Sequence, residues 1–218
     1  LGKTRAFSDG RVSPSYSGLE LAEAISRFSS LYPDVSISVV PGTHEELYRM
    51  LRENEVHLAL SDQRRPFADT YVNDQLDFFG CYVEVAKGNA LCRSKNVSLE
   101  NILQMPCIIV AKKEQQDMER DFYQNTIGFG GGFLFADSLE EGRMMAIGNQ
   151  GVLPVDGVGS LPACSASLIR LPLLSGGKQL ERNYCLFWKK DRTGYYIEEF
   201  SRILHEVLPN AKKPSKVS

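Results

Sequence analysis

Several common signals are missing from this chain of 218 residues, and each absence removes a class of protein. The five cysteines are odd in number and show no CxxC spacing, so a disulfide framework is not expected. Their pattern suits reduced thiols in a cytoplasmic protein. No apolar run reaches membrane-spanning length; even CIIVA at 107–111 is followed by two lysines. The opening LGKTRAFSDGR lacks the hydrophobic centre of a signal peptide. Neither sign of charge dominates, since 25 Lys and Arg stand against 27 Asp and Glu, and a net charge of -2 gives no sign of a nucleic-acid-binding surface. There is no G-x-S-x-G elbow, no His/Cys cluster and no Ser/His/Asp order, so no catalytic residue is assigned and no enzyme is expected. HEELY at 44–48 has Tyr48 where a zinc protease helix needs its second histidine. No metal and no cofactor are therefore expected. Internal repeats and low-complexity segments are absent too.

What remains is ordinary globular composition, 43% hydrophobic and 24% charged, enough for one large domain or two small lobes. The most patterned stretch is YPDVSISVVPGTHEELYRMLRENEVHLALSD at 32–62. Val35, Ile37 and Val39 alternate with serines at the period of a strand, and Pro41-Gly42 ends it. Thr43 and Glu46 have capping-box spacing, and Leu47, Met50 and Leu51 share one helical face. Val56, Leu58, Ala59 and Leu60 read as a second, more buried strand, with His57 a hydrogen-bonded core histidine in it. Strand, helix and strand in so few residues form a βαβ unit with parallel neighbouring strands. Ligands of such sheets sit beyond the carboxyl ends of the strands.

Ahead of this unit, residues 1–9 carry little pattern, and a weak first strand is expected at 10–13. A serine-rich turn, SPSYSG at 13–18, then leads into a helix with Leu21, Ile25, Phe28 and Tyr32 on one side. Hydroxyls beside helix N–H groups bind anions well. After the unit, 63–74 reads as loop and 76–86 as extended. Ser98 caps a short helix, CIIV at 107–110 is a buried strand, and 114–126 is a helix with Met118, Phe122 and Tyr123 inward. GFGGG at 128–132 runs into the strand FLFA, the reverse of what a phosphate loop requires. Asp137-Ser138 caps another helix, with Glu140 or Glu141 placed to complete the box. Short strands follow at 152–156 and 168–171. The strong strand at 184–188 precedes an amphipathic helix carrying Ile197, Phe200, Ile203, Leu204 and Val207, in which His205 faces out. Residues 209–218 are expected to be disordered.

The order of these signals closely resembles the effector-binding domain of LysR-type transcriptional regulators. The resemblance rests on Arg27-Phe28 and Tyr32-Pro33-Asp34-Val35, then Gly42-Thr43, Glu45-Glu46-Leu47 and Val56-His57-Leu58-Ala59-Leu60. His57 stands where the family usually has Asp. Gly88-Asn89-Ala90-Leu91, Val97-Ser98-Leu99-Glu100-Asn101-Ile102, Gly151-Val152-Leu153-Pro154 and Phe187-Trp188-Lys189-Lys190 extend the likeness from about residue 12 to 208. It implies an α/β, two-lobed type II periplasmic-binding-protein-like fold, each lobe a mainly parallel sheet flanked by helices. Lobe I would hold residues 10–85 and, returning, 183–208; lobe II would hold 86–182, with 209–218 as a tail. The resemblance further implies a homodimer, with a tetramer left open for the full-length protein. Its candidate surfaces are the helix and strand at 18–31 and 35–40 and the helix at 138–147. A winged helix-turn-helix and its linker helix are not in this sequence, so the chain reads as a fragment whose DNA contact lies in a missing N-terminal part.

A small-molecule effector would sit in the cleft between lobes, where strand ends and helix starts converge. From the first lobe that selects Ser13, Ser15, Ser17, Thr43, Ser61 and Asp62; from the second, Lys112, Asp137, Ser138, Val155 and Asp156. Helix starts present partial positive charge and free N–H donors, which favours a polar or anionic effector such as a carboxylate. Asp137 opposes this unless its carboxylate serves its own helix. The competing reading is a transporter's solute-binding protein of the same fold, in either case away from the membrane interior. A redox-sensing cysteine would need an exposed, low-pKa thiolate beside a resolving partner.

Overall fold

The computed structural model describes residues 6–10, 19–42, 44–64, 68–158 and 165–208. Two compact units divide the chain. The first takes residues 1–79 and 182–218 and the second 80–181, so the chain passes between them at Phe79–Gly80 and again at Glu181–Arg182. The resemblance set the first passage near 83–88 and the second near 181–185.

In the first unit, β1 (Ala6–Gly10), β2 (Ile37–Gly42) and β3 (Ala59–Asp62) form a parallel sheet with β1 in the middle. The first strand thus lies earlier than 10–13, in a stretch the sequence left without pattern. Ala6-Phe7-Ser8-Asp9-Gly10 has weak strand propensity, and its place comes from two neighbours, Ala6 opposite Ile37 and Ser8 opposite Ala59. The helices α1 (Leu19–Leu31) and α2 (His44–Arg52) fall where the spacing put them. Buried Leu47 and Leu51 of α2 pack with Val56, Ala59 and Phe187. Strand β4 (Tyr71–Ala86) starts inside the stretch read as loop, and its residues up to Phe79 belong to this unit. Its mixed opening, YVNDQ, conceals it because each polar residue there reaches water or a side-chain partner.

The unit is completed from far along the sequence. β11 (Glu181–Lys189) runs antiparallel to β3, with Leu186 opposite Leu60. The last helix, α6 (Tyr195–Val207), buries Ile197, Phe200, Ile203 and Leu204. It packs on α1, where the Phe28 ring lies 5.7 Å from Phe200 and Tyr32 donates to or accepts from the Tyr195 hydroxyl at 2.8 Å. His57 precedes β3 rather than lying in it and is half-buried, and its buried Nδ1 has no hydrogen-bond partner among the described residues. Val35 likewise precedes β2, and Val39 in that strand is exposed.

In the second unit, β4 continues to Ala86. It is followed by β5 (Val97–Ser98), α3 (Leu99–Ile102), β6 (Cys107–Val110), α4 (Gln116–Asp121), β7 (Phe133–Ala136), α5 (Leu139–Ile147), β8 (Leu153–Asp156), β9 (Leu168–Ser175) and β10 (Lys178–Gln179). β6 pairs in parallel with β7, while β8 and β9 flank β4 antiparallel. β6 is buried on both faces: Cys107 and Ile109 enter one apolar cluster with Val83, Val85 and Ile102, and Ile108 enters another with Ala136 and Val155. This alternation is what a continuous apolar run becomes when a strand is covered on two sides. The 114–126 helix is a composite, with a 3-10 turn at Lys113–Gln115, α4, and a π-helical stretch at Phe122–Ile127. Tyr123 is buried as expected, but Met118, in the regular α4 segment, is 45% exposed. The glycine loop serves packing: a Cβ on Gly131 would stand 2.1 Å from the Met105 carbonyl oxygen. β9 and β10 are joined through Gly176 and Gly177, both at positive φ, as a tight hairpin requires.

Candidate functional site

The β6–β7 pair organises the second unit's site residues. Val110 lies opposite Ala136, and the Ala111 N–H donates to the Ala136 carbonyl at 2.9 Å. The chain then departs from both strands on the same side of the sheet. Lys112 follows β6 in extended conformation and is exposed; no side chain caps the helical turn that begins after it. Asp137 and Ser138 follow β7. Ser138 Oγ accepts from the Glu141 N–H at 3.1 Å, and Glu141 returns by accepting from the Asp137 N–H at 2.7 Å. Glu141 thus takes the N–H one residue before the cap rather than that of Ser138 itself, and the exposed Asp137 carboxylate has no part in the capping.

Cys107 lies parallel and opposite Val152, so β8 points its carboxyl end the same way as β6 and β7. Val155 and Asp156 are at that end, yet both are buried, 1% and 4% exposed. Val155 belongs to the apolar cluster around Ile108. Asp156 accepts from the Cys81 thiol at 3.4 Å.

In the first unit Ser61 and Asp62 end β3, beside the carboxyl ends of β1 and β2. Both are buried. Asp62 accepts from Arg64 Nε at 3.0 Å and from Arg182, and Ser61 donates to it at 3.4 Å. Its carboxylate is thus held between two guanidinium groups. Ser13, Ser15, Ser17 and Thr43 lie outside the described residues, as do Cys164 and the tail at 209–218.

Two charge clusters escaped the sequence reading. One is the Asp62 group. The other centres on Glu84, fully buried in β4, which accepts from Arg143 Nε at 2.8 Å and Nη2 at 3.0 Å and from Arg170 Nε at 3.1 Å. Burial alone would push the Glu84 carboxyl up; hydrogen bonds from Arg143 and Arg170 outweigh it and hold it below the ordinary carboxylate range. The one available signal was the acid itself, alone inside the apolar run YVEVA. Its partners lie 59 and 86 residues away and could not be paired with it by spacing.

Cys107 and Cys185 are buried, and burial pushes both thiols up, Cys185 to about 11 with help from the negative charges of Asp74 and Asp62. Neither has the depressed pKa of a reactive thiol. Among the described residues no set of three His, Cys, Asp or Glu side chains could hold a metal ion, and no helix is long and apolar enough to cross a membrane.

Known structures fold the same way. The regulatory domain of MetR, a LysR family regulator from Neisseria meningitidis, is similar with a TM-score of 0.72 at 13% identity, covering 94% of this chain and 95% of that one. The BenM effector-binding domain with its effector benzoate is similar with a TM-score of 0.74 at 13% identity, covering 95% and 92%. The effector-binding domain of QuiR in complex with shikimate gives 0.70 at 11% identity, covering 94% and 97%. The fold is therefore the type II periplasmic-binding-protein-like fold of such regulatory domains. A family profile for the LysR substrate-binding domain matches residues 12–209, and the chain belongs to that family. The family is one of transcriptional-regulator domains rather than enzymes, and it favours effector sensing over solute delivery to a transporter. No curated protein matches the chain.

Proposed function

We propose that this domain senses a small anionic molecule, a carboxylate before others, for a LysR-type regulator. The observation that carries the reading is the β6–β7 strand end, where exposed Lys112 precedes a helical turn that no side chain caps, next to Ser138 at the start of α5. A cationic side chain, free N–H donors and a hydroxyl at one end of a parallel sheet suit an anion. Support also comes from relatives: the BenM and QuiR domains are seen with benzoate and shikimate, both carboxylates. In our reading Lys112 and Ser138 contact the effector, with Asp137, Val155 and Asp156 around them. Ser61, Asp62, Ser13, Ser15, Ser17 and Thr43 are the first unit's contribution. Asp62 acts by fixing Arg64 and Arg182.

The domain pairs with a second copy in this reading, through exposed Leu31 and Val39 in the first unit and exposed Met144 and Ile147 on α5 in the second. It works in the cytoplasm, has no catalytic role, and passes its signal to DNA through a helix-turn-helix outside this sequence. The effector can shift the regulator only by the difference in its affinity for the two states.

The test is thermal melting against small carboxylates, phosphates, amino acids, sugars and amines. A saturable rise with a carboxylate is expected, since selective binding to the folded state stabilises it. The ligand-induced rise, rather than the melting temperature itself, should fall in Lys112→Ala and Ser138→Ala. A rise produced only by cationic or wholly apolar compounds, or one that both variants retain in full, would refute the proposal.

A further inference from the structure

Helix α5 begins at the candidate anion site but has little of its own to hold it there. Its nine residues are too few for a helix to persist without tertiary support. Its buried residues are Gly142 and Ala146, with Leu139 and Met145 partly buried on the cluster around Ile108. The helix backbone therefore lies close to the sheet: a Cβ on Gly142 would stand 3.2 Å from Leu153 Cδ1 and 3.3 Å from Val110 Cγ2. Small side chains make shallow ridges, which fix the height of a helix above its neighbours better than its place along its own axis.

Arg143 fixes that place. Its Nε donates to one Glu84 oxygen at 2.8 Å and its Nη2 to the other at 3.0 Å. Such a fork sets direction as well as distance. The anchor does not travel with the helix. Glu84 sits in β4 between β8 and β9, opposite Leu153 and Arg170, and Arg170 Nε holds its Oε1 at 3.1 Å from the neighbouring strand. The Glu84–Arg170 pair thus belongs to the sheet, and the Glu84–Arg143 pair ties the helix to it. The cap, in contrast, moves with the helix. Ser138 Oγ accepts from the Glu141 N–H, the Ser138 carbonyl accepts from the Gly142 N–H at 3.0 Å, and the Glu141 carboxylate accepts from the Asp137 N–H. Ser138 precedes Arg143 by five residues, about 7.5 Å along the axis. A shift of α5 on the sheet therefore carries the Ser138 hydroxyl and the first-turn N–H groups with it.

We propose that Arg143 is a positioning residue of the anion site: by gripping Glu84 it sets where Ser138 and the first N–H groups of α5 stand, and so how tightly the effector is held. The inference rests on the anion-sensing reading of this strand end and adds to it a residue that acts without touching the effector. Arg170 has a different part, since it holds Glu84 from within the sheet wherever α5 stands.

Two variants separate position from stability. Arg143→Met keeps an apolar stem and removes the fork; Arg143→Lys keeps the charge beside Glu84 without the paired geometry. Amide exchange is followed by NMR in the absence of ligand, and affinity by calorimetry with benzoate and shikimate as probes. In both variants the Glu141 and Gly142 amides should exchange about three- to tenfold faster, the scale of one lost hydrogen bond, while those of β6 change by less than about twofold. Affinity should fall about three- to tenfold in both, although Arg143→Lys melts close to the parent. On a Ser138→Ala background the loss caused by Arg143→Met should shrink to about twofold or less, because the hydroxyl it places is gone. Leu51→Ala, which weakens the fold from the first unit, should leave the affinity unchanged. Unchanged exchange at Glu141 and Gly142, full additivity with Ser138→Ala, or an affinity that follows the melting temperature across all these variants would overturn the proposal. A parent chain that binds neither probe nor any carboxylate of the melting panel, with exchange still raised in the variants, would instead sink the anion-sensing reading and the site role with it, leaving Arg143 as a structural tether.

Discussion

Replacing Glu84 tests whether the buried charge cluster of the second unit stabilises the fold. Glu84 has no exposed surface, whereas the side chains of Arg143 and Arg170 are 26% and 12% exposed. Glu84→Ala would leave two guanidinium groups facing a vacated space on the face of β4 opposite to Val83 and Val85. Breaking a buried pair from one side costs about 3–5 kcal/mol. Both arginines retain a path to water, so the loss should lie near the lower end, about 3 kcal/mol. For a chain of this length that lowers the melting temperature by roughly 6–12 °C. Glu84→Gln keeps the shape and one acceptor oxygen and should cost about 1.5–3 kcal/mol, the scale of a hydrogen bond to a charged group. The pH dependence has a definite sign. The folded-state pKa lies below the ordinary value of 4.5, so the stabilisation is complete above that value and is lost as pH falls through the lower, folded-state one. Urea unfolding followed by circular dichroism at pH 7 and at pH 3.5 measures both effects. A Glu84→Gln chain within about 0.5 kcal/mol of the parent at pH 7 would refute the reasoning: it would mean that desolvation cancels the whole of the pairing.

Three further outcomes are expected. Leu51→Ala removes a 1%-exposed side chain packed against Leu47, Val56 and Phe187, and urea unfolding should show a loss of about 2–5 kcal/mol. His205→Ala should lower the melting temperature most below pH 6.5 and progressively less at higher pH. The Asp74 hydrogen bond raises the His205 pKa against the opposing effect of burial, and a raised pKa gives stability that disappears as pH climbs through it. Met144→Lys with Ile147→Lys, both exposed positions, should leave the fold intact and convert a dimer to a monomer in sedimentation velocity; an unchanged dimer would remove α5 from the interface.

How much could be read in advance follows from how local each signal was. The helices α1, α2 and α6 and the strands β3, β6 and β7 were legible because each carries its own period: Leu47 and Leu51 on one helical face, or Ile108 and Ile109 filling two faces of one strand. The Ser138 cap was legible because cap and partner are three residues apart. What stayed hidden depends on distant chain. β1 is a strand because of β2 and β3, and the polar opening of β4 conceals strand structure that it shares with later elements. The fates of Asp62 and Glu84 were decided by arginines as far as 120 residues away. A strand-end carboxylate therefore looked available to a solute when it was already engaged. Val155 was chosen by position alone, and its burial at 1% reflects a core cluster that position does not encode.

The first unit is made of two stretches of chain with the whole second unit between them. On the ribosome this reverses the usual order of completion. β3 ends at Asp62, but Arg182, which holds that aspartate from the neighbouring strand, is made 120 residues later. At about 5–20 residues per second, this is a wait of roughly 6–24 s. The second unit is contiguous and has all its residues before the first has its last strand. Throughout that interval β3 presents an open edge, a template for pairing with another chain. The Phe28 face of α1 has no α6 to cover it. Of the two units, the one begun earlier is thus the one finished later, and it is this unit that needs shielding in the cell.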